Sequence, residues 1–210
     1  MALAVETKSV LLTASMVQAF AAVPVPAGHT LRLLTAQAVP PDTFTAWCRT
    51  MHQVLAEDNA LAALFWWQQG IPDTQKGNLA DFLAFCRGSL VILLGAPGAS
   101  GGTRIMGMGW LTDIIAGVQA HIGVWYATAY RQHHNPTAIT RAVIGWVLRD
   151  LDVPTLWAQS IHPGARQHLL ECGGEQWAVI PDYAYFQGKR HPVTLMRIRR
   201  DLWAPYEKEE

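Results

Sequence analysis

The sequence predicts an α/β fold in which a sheet packs against helices. Segments with the apolar pattern of buried strands alternate along the chain with segments whose apolar residues recur at helical spacing. Half of the 210 residues are apolar, which is enough for a single domain with a sizeable core. Acidic and basic residues balance at 16 each, so no net charge attracts nucleic acid or an anionic membrane.

The clearest pair of elements lies between Ala120 and Leu151. Residues 120–131 have the pattern of a buried strand, and a helix follows for which Asn135 is a favoured N-cap and Pro136 suits the first helical position. The apolar face of this helix comprises Ile139, Ala142, Val143, Trp146, Val147 and Leu151. The first amides of a helix are unpaired and its dipole is positive there, so residues 131–136 are predicted to form an anion site.

Before this pair, the pattern predicts a strand over residues 31–39, helices starting near residues 40, 59 and 78, and a hairpin over residues 89–111. The helix that starts at Asn59 is expected to reach Gln69. The hairpin has a glycine-rich tip, which we expect to be flexible. Gly107 and Gly109 in its second strand indicate a bulge or a close approach to the backbone.

The two ends of the chain are predicted to lie outside the domain, as an extension over residues 1–29 and a charged tail over residues 204–210. The apolar stretch Val10–Val23 favours a packed helix over a signal peptide, because Gln18 interrupts it, and it is too short to span a bilayer. Three cysteines without disulfide or zinc spacing indicate buried thiols in a reducing compartment: Cys48, Cys86 and Cys172. We therefore expect a cytoplasmic protein without a membrane partner.

From residue 30 to residue 203 the order of elements resembles the GNAT superfamily of acyl-CoA-dependent N-acyltransferases. The matching segments are HIGVWYATAYR, the loop and helix that follow it, TLWAQS, PGARQHLLECGG, EQWAVI and VTLMRIRR. The resemblance implies a mixed, twisted sheet of six or seven strands flanked by about four helices. It also implies transfer of an acetyl or other acyl group from acetyl-CoA or a related acyl-CoA to an amine.

The resemblance also implies where the coenzyme binds. In the family, a loop with an Arg/Gln-x-x-Gly-x-Gly/Ala pattern after the central strand holds the pyrophosphate. If Arg131 takes the first basic position, His134 and Pro136 occupy the glycine positions; an alignment shifted by one puts Gln132, Asn135 and Thr137 on the motif. The implied coenzyme-binding residues are Val124, Tyr126, Arg131, Gln132, His133, His134, Asn135, Thr137 and His162, the last replacing a frequent Asn.

Direct transfer to an amine needs a base and a proton donor for the leaving thiolate. His121 stands where the family often has a catalytic Glu, and an imidazole titrates near neutral pH; a structural hydrogen bond is its alternative role. Leu169 stands where the family has its usual Tyr acid, so His168, Tyr183 or Tyr185 would have to donate the proton instead.

Several alternatives stay open at this stage. A metal site is not expected, because His133 and His134 have no Cys or carboxylate at zinc spacing. The consecutive aromatics Phe65, Trp66 and Trp67 cannot all face one side of a helix, so they line either an acceptor pocket or a protein interface. The acceptor is a small-molecule or protein amine. Other readings are a GNAT-derived binding protein without a coenzyme site, a phage-type nucleic-acid-modifying enzyme, and a homodimer.

Overall fold

The computed structural model describes residues 12–25, 27–98 and 103–203. Seven strands form one mixed sheet in the order β1-β2-β3-β4-β5-β7-β6. The strands are β1 Thr30–Leu34, β2 Leu90–Pro97, β3 Thr103–Ile115, β4 Gln119–Tyr126, β5 Thr155–Ser160, β6 Glu175–Phe186 and β7 Lys189–Arg199. The described helices are α1 Ala14–Ala21, α2 Pro41–Glu57, α3 Leu61–Leu64, α4 Leu79–Arg87, α5 Thr128–His133, α6 Thr137–Asp150, α7 Pro163–Glu171 and α8 Arg200–Trp203. The predicted sheet of six or seven strands is confirmed.

The sheet separates in its middle. All neighbouring strands pair antiparallel except β4 and β5, which are parallel and pair only at Ala120 with Leu156 and at His121 with Trp157. Since β4 continues to Tyr126 and β5 to Ser160, the two strands splay apart beyond His121.

Both faces of the sheet are covered by helices. In β2, the even-numbered residues from Leu90 to Leu94 pack into the cluster that contains α6, whereas Val91 and Leu93 pack with α2 and α4. Burial on both faces explains why this strand is a continuous apolar run rather than an alternating one. The helices on the two faces therefore hold the central strands in place from both sides.

The predicted N-terminal helix is confirmed over residues 14–21. Thr13 caps it by accepting a hydrogen bond from the Met16 amide, and the Phe20 ring packs edge-on against Trp146 with centroids 4.7 Å apart. Residues 10 and 11 of the predicted stretch, residues 99–102 of the hairpin tip and the tail 204–210 lie outside the described residues. All three cysteines are buried, as predicted. None of the helices in the described part of the chain is long and apolar enough to cross a bilayer.

Two predicted elements before the hairpin are wrong in extent. The first strand ends at Leu34 rather than residue 39, because the carbonyl and hydroxyl of Thr35 both accept the Ala38 amide and turn the chain. The helix predicted over Asn59–Gln69 is reduced to the single turn α3. The chain leaves helical geometry there because Phe65 and Trp66 are buried in two different clusters.

The strand predicted over residues 120–131 is also too long. It ends at Tyr126, and residues 128–133 form α5, since the carbonyl of Ala127 accepts the amides of Tyr130 and Arg131 and the Tyr130 side chain is fully buried. The next helix, α6, starts at residue 137, one residue later than predicted. The N-cap position is therefore Pro136 rather than the predicted Asn135, although the Asn135 Oδ1 accepts the amide of the first helical residue, Thr137, at 2.9 Å.

Candidate active site

A cavity of about 750 Å³ opens where β4 and β5 separate. Its volume falls within the range of about 300–1,000 Å³ that is usual for ligand sites. The walls come from β3, β4 and β5, from residues 58–67 after α2, and from the start of α7. The predicted site residues that line it are His121, Val124, Tyr126, Arg131, His162 and His168.

His121 lies at the closed end of the splay, where β4 still pairs with β5. Its side chain is 37% exposed, and its Nδ1 lies 3.6 Å from Oδ2 of Asp113. A carboxylate beside Nδ1 favours the tautomer with the proton on that nitrogen, which leaves Nε2 as the acceptor. His121 is therefore a wall residue with an oriented ring and access to solvent.

His168 belongs to a buried polar cluster behind the cavity wall. The Oγ1 of Thr140 lies 2.8 Å from His168 Nε2 and 2.7 Å from the Tyr126 hydroxyl, and it contacts the Pro136 carbonyl at 3.1 Å. Burial lowers the pKa of His168, although Glu171 acts in the opposite sense, so the imidazole is neutral near pH 7. Burial also raises the pKa of the Tyr126 phenol, which keeps its proton.

Cys172 adjoins the same cluster. Its Sγ lies 3.8 Å from His168 Nε2, and burial raises the pKa of the thiol to about 12. A protonated, fully buried thiol is not a nucleophile. Cys172 therefore packs behind the site.

The remaining predicted coenzyme residues lie on α5 and at the start of α6, beside the cavity. Gln132, His133, His134 and Asn135 are exposed, and Thr137 is half-buried with its hydroxyl 3.5 Å from Oε2 of Glu171. The helical turn α5 includes the first residues of the segment that the resemblance predicts as the pyrophosphate loop, Arg131, Gln132 and His133. It is held in place by Tyr130, whose ring stacks between those of Tyr126 and His134 at centroid distances of 5.8 and 4.7 Å.

His162 lines the cavity at the end of β5. Its ring packs edge-on against Phe186, and burial together with the neighbouring His191 lowers its pKa. A neutral imidazole is expected there at neutral pH.

The structure places Tyr183 apart from the other candidate residues. It lies on the edge strand β6, is 48% exposed, and packs against the outer side of Trp66 with ring centroids 6.2 Å apart. It does not belong to the cavity wall that the described residues form. Tyr185, on the same strand, is also absent from this wall, so His168 is the one of the three proton donors predicted from sequence that the fold brings to the cavity with His121.

Sequence reasoning missed the tryptophans of the strands. Trp110, Trp125 and Trp157 all line the cavity. The signal for Trp110 was Gly123, where a Cβ would lie 2.1 Å from the indole. The close approach expected at Gly107 is made by Tyr126, whose ring would lie 2.7 Å from a Cβ there. Within the residues described, no group of three or more His, Cys, Asp or Glu side chains could hold a metal ion.

Together, the splayed parallel strands and the flanking helices define an α/β fold with a cavity in the middle of its sheet. Neither a family model nor a curated protein matches the sequence. Solved structures do match. One is spermidine N-acetyltransferase from Vibrio cholerae in complex with CoA and spermine, with a TM-score of 0.62 and 14% identity over 85% of this chain and 99% of that chain.

A second match is the ribosomal L7/L12 alpha-N-protein acetyltransferase RimL in complex with coenzyme A, with a TM-score of 0.62 and 14% identity over 86% of this chain and 98% of that one. A probable acetyltransferase matches with a TM-score of 0.60 and 16% identity over 86% and 97% of the two chains. The chain therefore has the GNAT fold, which confirms the resemblance seen in the order of its elements.

Proposed function

We propose that this protein is an N-acyltransferase that moves an acetyl or related acyl group from acyl-CoA to an amine. The observation that carries the proposal is the splay of β4 from β5, which opens a ligand-sized cavity with His121 at its closed end. Solved structures with the same fold support it, since their names describe acetyltransferases, two of them in complex with coenzyme A.

The residues present fit an acyl-CoA. Beyond His121 the edge of β4 has no ladder partner in β5, and an unpaired strand edge can pair with a chain that carries amides, such as the pantetheine arm. Val124 and Tyr126 flank this edge. The first-turn amides of α6 and the guanidinium of Arg131 supply the positive end for a pyrophosphate. Pro136 has no N–H, and the Thr137 amide already donates to Asn135 Oδ1. The amides of residues 138 and 139 are therefore the donors we expect there.

The thioester supplies an activated acyl carbon, and the residues of this chain handle the protons. His121 Nε2 takes the proton from the amine as the new C–N bond forms and the C–S bond breaks. The departing sulfur needs a proton; because the His168 ring at the cavity wall is neutral near pH 7, it can supply one only as a relay, taking a proton from solvent on one nitrogen as the other gives one up. Thr140 joins the His168 ring to the Tyr126 hydroxyl, so the cluster orients this imidazole.

Titration calorimetry with acetyl-CoA, followed by an assay for free thiol with a panel of amines, tests the proposal. His121→Ala should lower turnover about 100-fold while acetyl-CoA affinity stays unchanged, the usual scale for lost acid–base assistance. His52→Ala is the matched control, because His52 makes a structural hydrogen bond to the Gly77 carbonyl outside the cavity.

Two results would contradict the proposal. The absence of binding at millimolar acetyl-CoA would favour the alternative, a GNAT-derived binding protein. Equal turnover of His121→Ala and the parent would remove His121 from the mechanism.

A further inference from the structure

Two of the three consecutive aromatic residues 65–67 line the cavity, Trp66 and Trp67. Phe65 is buried against α2 and α4, whereas Trp66 is buried in a separate cluster with residues of β6 and β7. Trp67, the next residue, is 44% exposed and lines the cavity. The first two rings are thus buried in two separate cores, and Trp67 is the ring of the run that is most exposed to a ligand.

This wall is fixed to the hairpin of β6 and β7 by hydrogen bonds. Gln69 Nε2 donates to the Tyr183 carbonyl at 2.8 Å, and Lys76 Nζ donates to the Tyr185 carbonyl at 2.8 Å. Lys76 is only 3% exposed and also pairs with Asp73 at 2.8 Å. The Gln69 contact is exposed, whereas Lys76 and the Trp66 ring are buried, so the chain on both sides of Trp67 is anchored before any ligand binds.

Other aromatic rings continue the surface. The centroid of Trp67 lies 6.1 Å from that of Phe85, which lies 5.8 Å from that of Trp110. The indole of Trp110 occupies the space beside Gly123 of β4 that a side chain would fill, since a Cβ on that glycine would lie 2.1 Å from the indole. Trp157, the β5 partner of His121, adds a further indole to the lining. The result is a surface of aromatic rings beside the candidate base.

The cavity lining has few negative charges, which indicates what kind of amine it can accept. Asp58 is the only carboxylate among the described lining residues, and its Oδ1 already accepts the Thr128 amide at 3.2 Å. A polyamine with several ammonium groups needs several carboxylates once it leaves water. An apolar, planar body needs none, and it gains contacts with the rings.

We propose that the acceptor is a primary amine carried on a planar aromatic body, an arylalkylamine. Its ring lies against Trp67, Phe85 and Trp110, and its nitrogen reaches His121. This inference rests on the proposed function for the transfer step, in which the nitrogen forms the C–N bond, His121 takes its proton, and the sulfur leaves and is protonated. Recognition of the amine itself rests on the cavity alone.

Calorimetry with three probe amines tests the recognition without the coenzyme. We expect 2-phenylethylamine to bind at least about threefold more tightly than 2-cyclohexylethylamine, which has the same number of carbons but no flat ring, and more tightly than spermine. Trp67→Leu should abolish the preference for the flat ring. Tyr185→Ala should keep it, because Tyr185 is exposed to a similar extent, 48%, but lies on β6 outside the cavity lining.

Rates with acetyl-CoA separate this inference from the proposed function. A higher kcat/KM for 2-phenylethylamine than for spermine supports both. Faster acetylation of spermine or of 2-cyclohexylethylamine would overturn the arylalkylamine inference and leave the acyltransferase standing. Selective binding of 2-phenylethylamine without any acetyl-CoA binding would support the aromatic site and overturn the acyltransferase. Equal affinity for all three amines in the parent protein would overturn the aromatic site.

Discussion

Replacing Gly123 with alanine tests whether the Trp110 indole occupies the place that the structure gives it. An added Cβ would lie 2.1 Å from Cε2 and Cζ2 of the indole and 2.6 Å from its Nε1, so the ring must move. Overpacking of this kind costs about 1–3 kcal/mol. For a chain of this length, each kcal/mol lowers the melting temperature by roughly 2–4 °C, so we expect a loss of about 2–12 °C.

Gly109→Ala is the matched control, because Gly109 lies on the neighbouring strand and its added Cβ would meet atoms only at 3.7 Å or beyond. We expect it to be neutral or stabilising by up to about 1 kcal/mol. Trp110→Leu removes the ring that the added Cβ would meet. In thermal denaturation, the loss of stability in the double variant should therefore be smaller than the sum of the two single losses, and a double-mutant cycle measures this difference as coupling. Equal melting temperatures for the two single glycine variants would refute the reasoning.

Two further substitutions test the proposed pyrophosphate position and the buried contact of Lys76. Asn135→Asp keeps the cap on the Thr137 amide but adds a negative charge at the proposed pyrophosphate position, so acetyl-CoA affinity should fall about tenfold in calorimetry with the melting temperature retained; Asn78→Asp, the same change at the α4 cap, should leave the affinity unchanged. Asp73→Asn removes the carboxylate beside buried Lys76 and should cost about 1–3 kcal/mol at pH 7 in urea denaturation. The hydrogen bond from Lys76 lowers the pKa of Asp73, so its stabilisation is complete above its unfolded pKa and is lost as the pH falls through the lower folded value. The difference between parent and variant should therefore shrink below about pH 4, and a difference independent of pH would contradict this assignment.

The elements that could be predicted from sequence are those whose pattern is local. The apolar face of α6 and the continuous run of β2 depend on residues within a few turns or on one strand, and both were found. The boundary after Tyr126 was not, because YATAYR alternates like a strand. Its helical turn depends on the burial of Tyr130 and on Asp58, which receives the Thr128 amide from 70 residues away.

The candidate site was predictable only where the resemblance supplied a position. His121 and His168 are brought to one cavity, although 47 residues separate them in sequence. Tyr183 lies on an edge strand, and the alternation of side chains along a strand does not show which of its two faces points toward the cavity. The aromatic surface of Trp67, Phe85 and Trp110 joins the segment after α3, the helix α4 and the strand β3. It is created by the packing of that helix and segment on the sheet, which local periodicity does not record.

Hydrogen exchange with acetyl-CoA present tests the central claim most directly. If the coenzyme lies in the splay, the amides of β4 beyond His121 and of the first turn of α6 should exchange more slowly with ligand, while those of β1 at the far edge of the sheet keep their rates. Unchanged exchange in β4 and α6 at saturating acetyl-CoA, or protection confined to another part of the chain, would contradict the account.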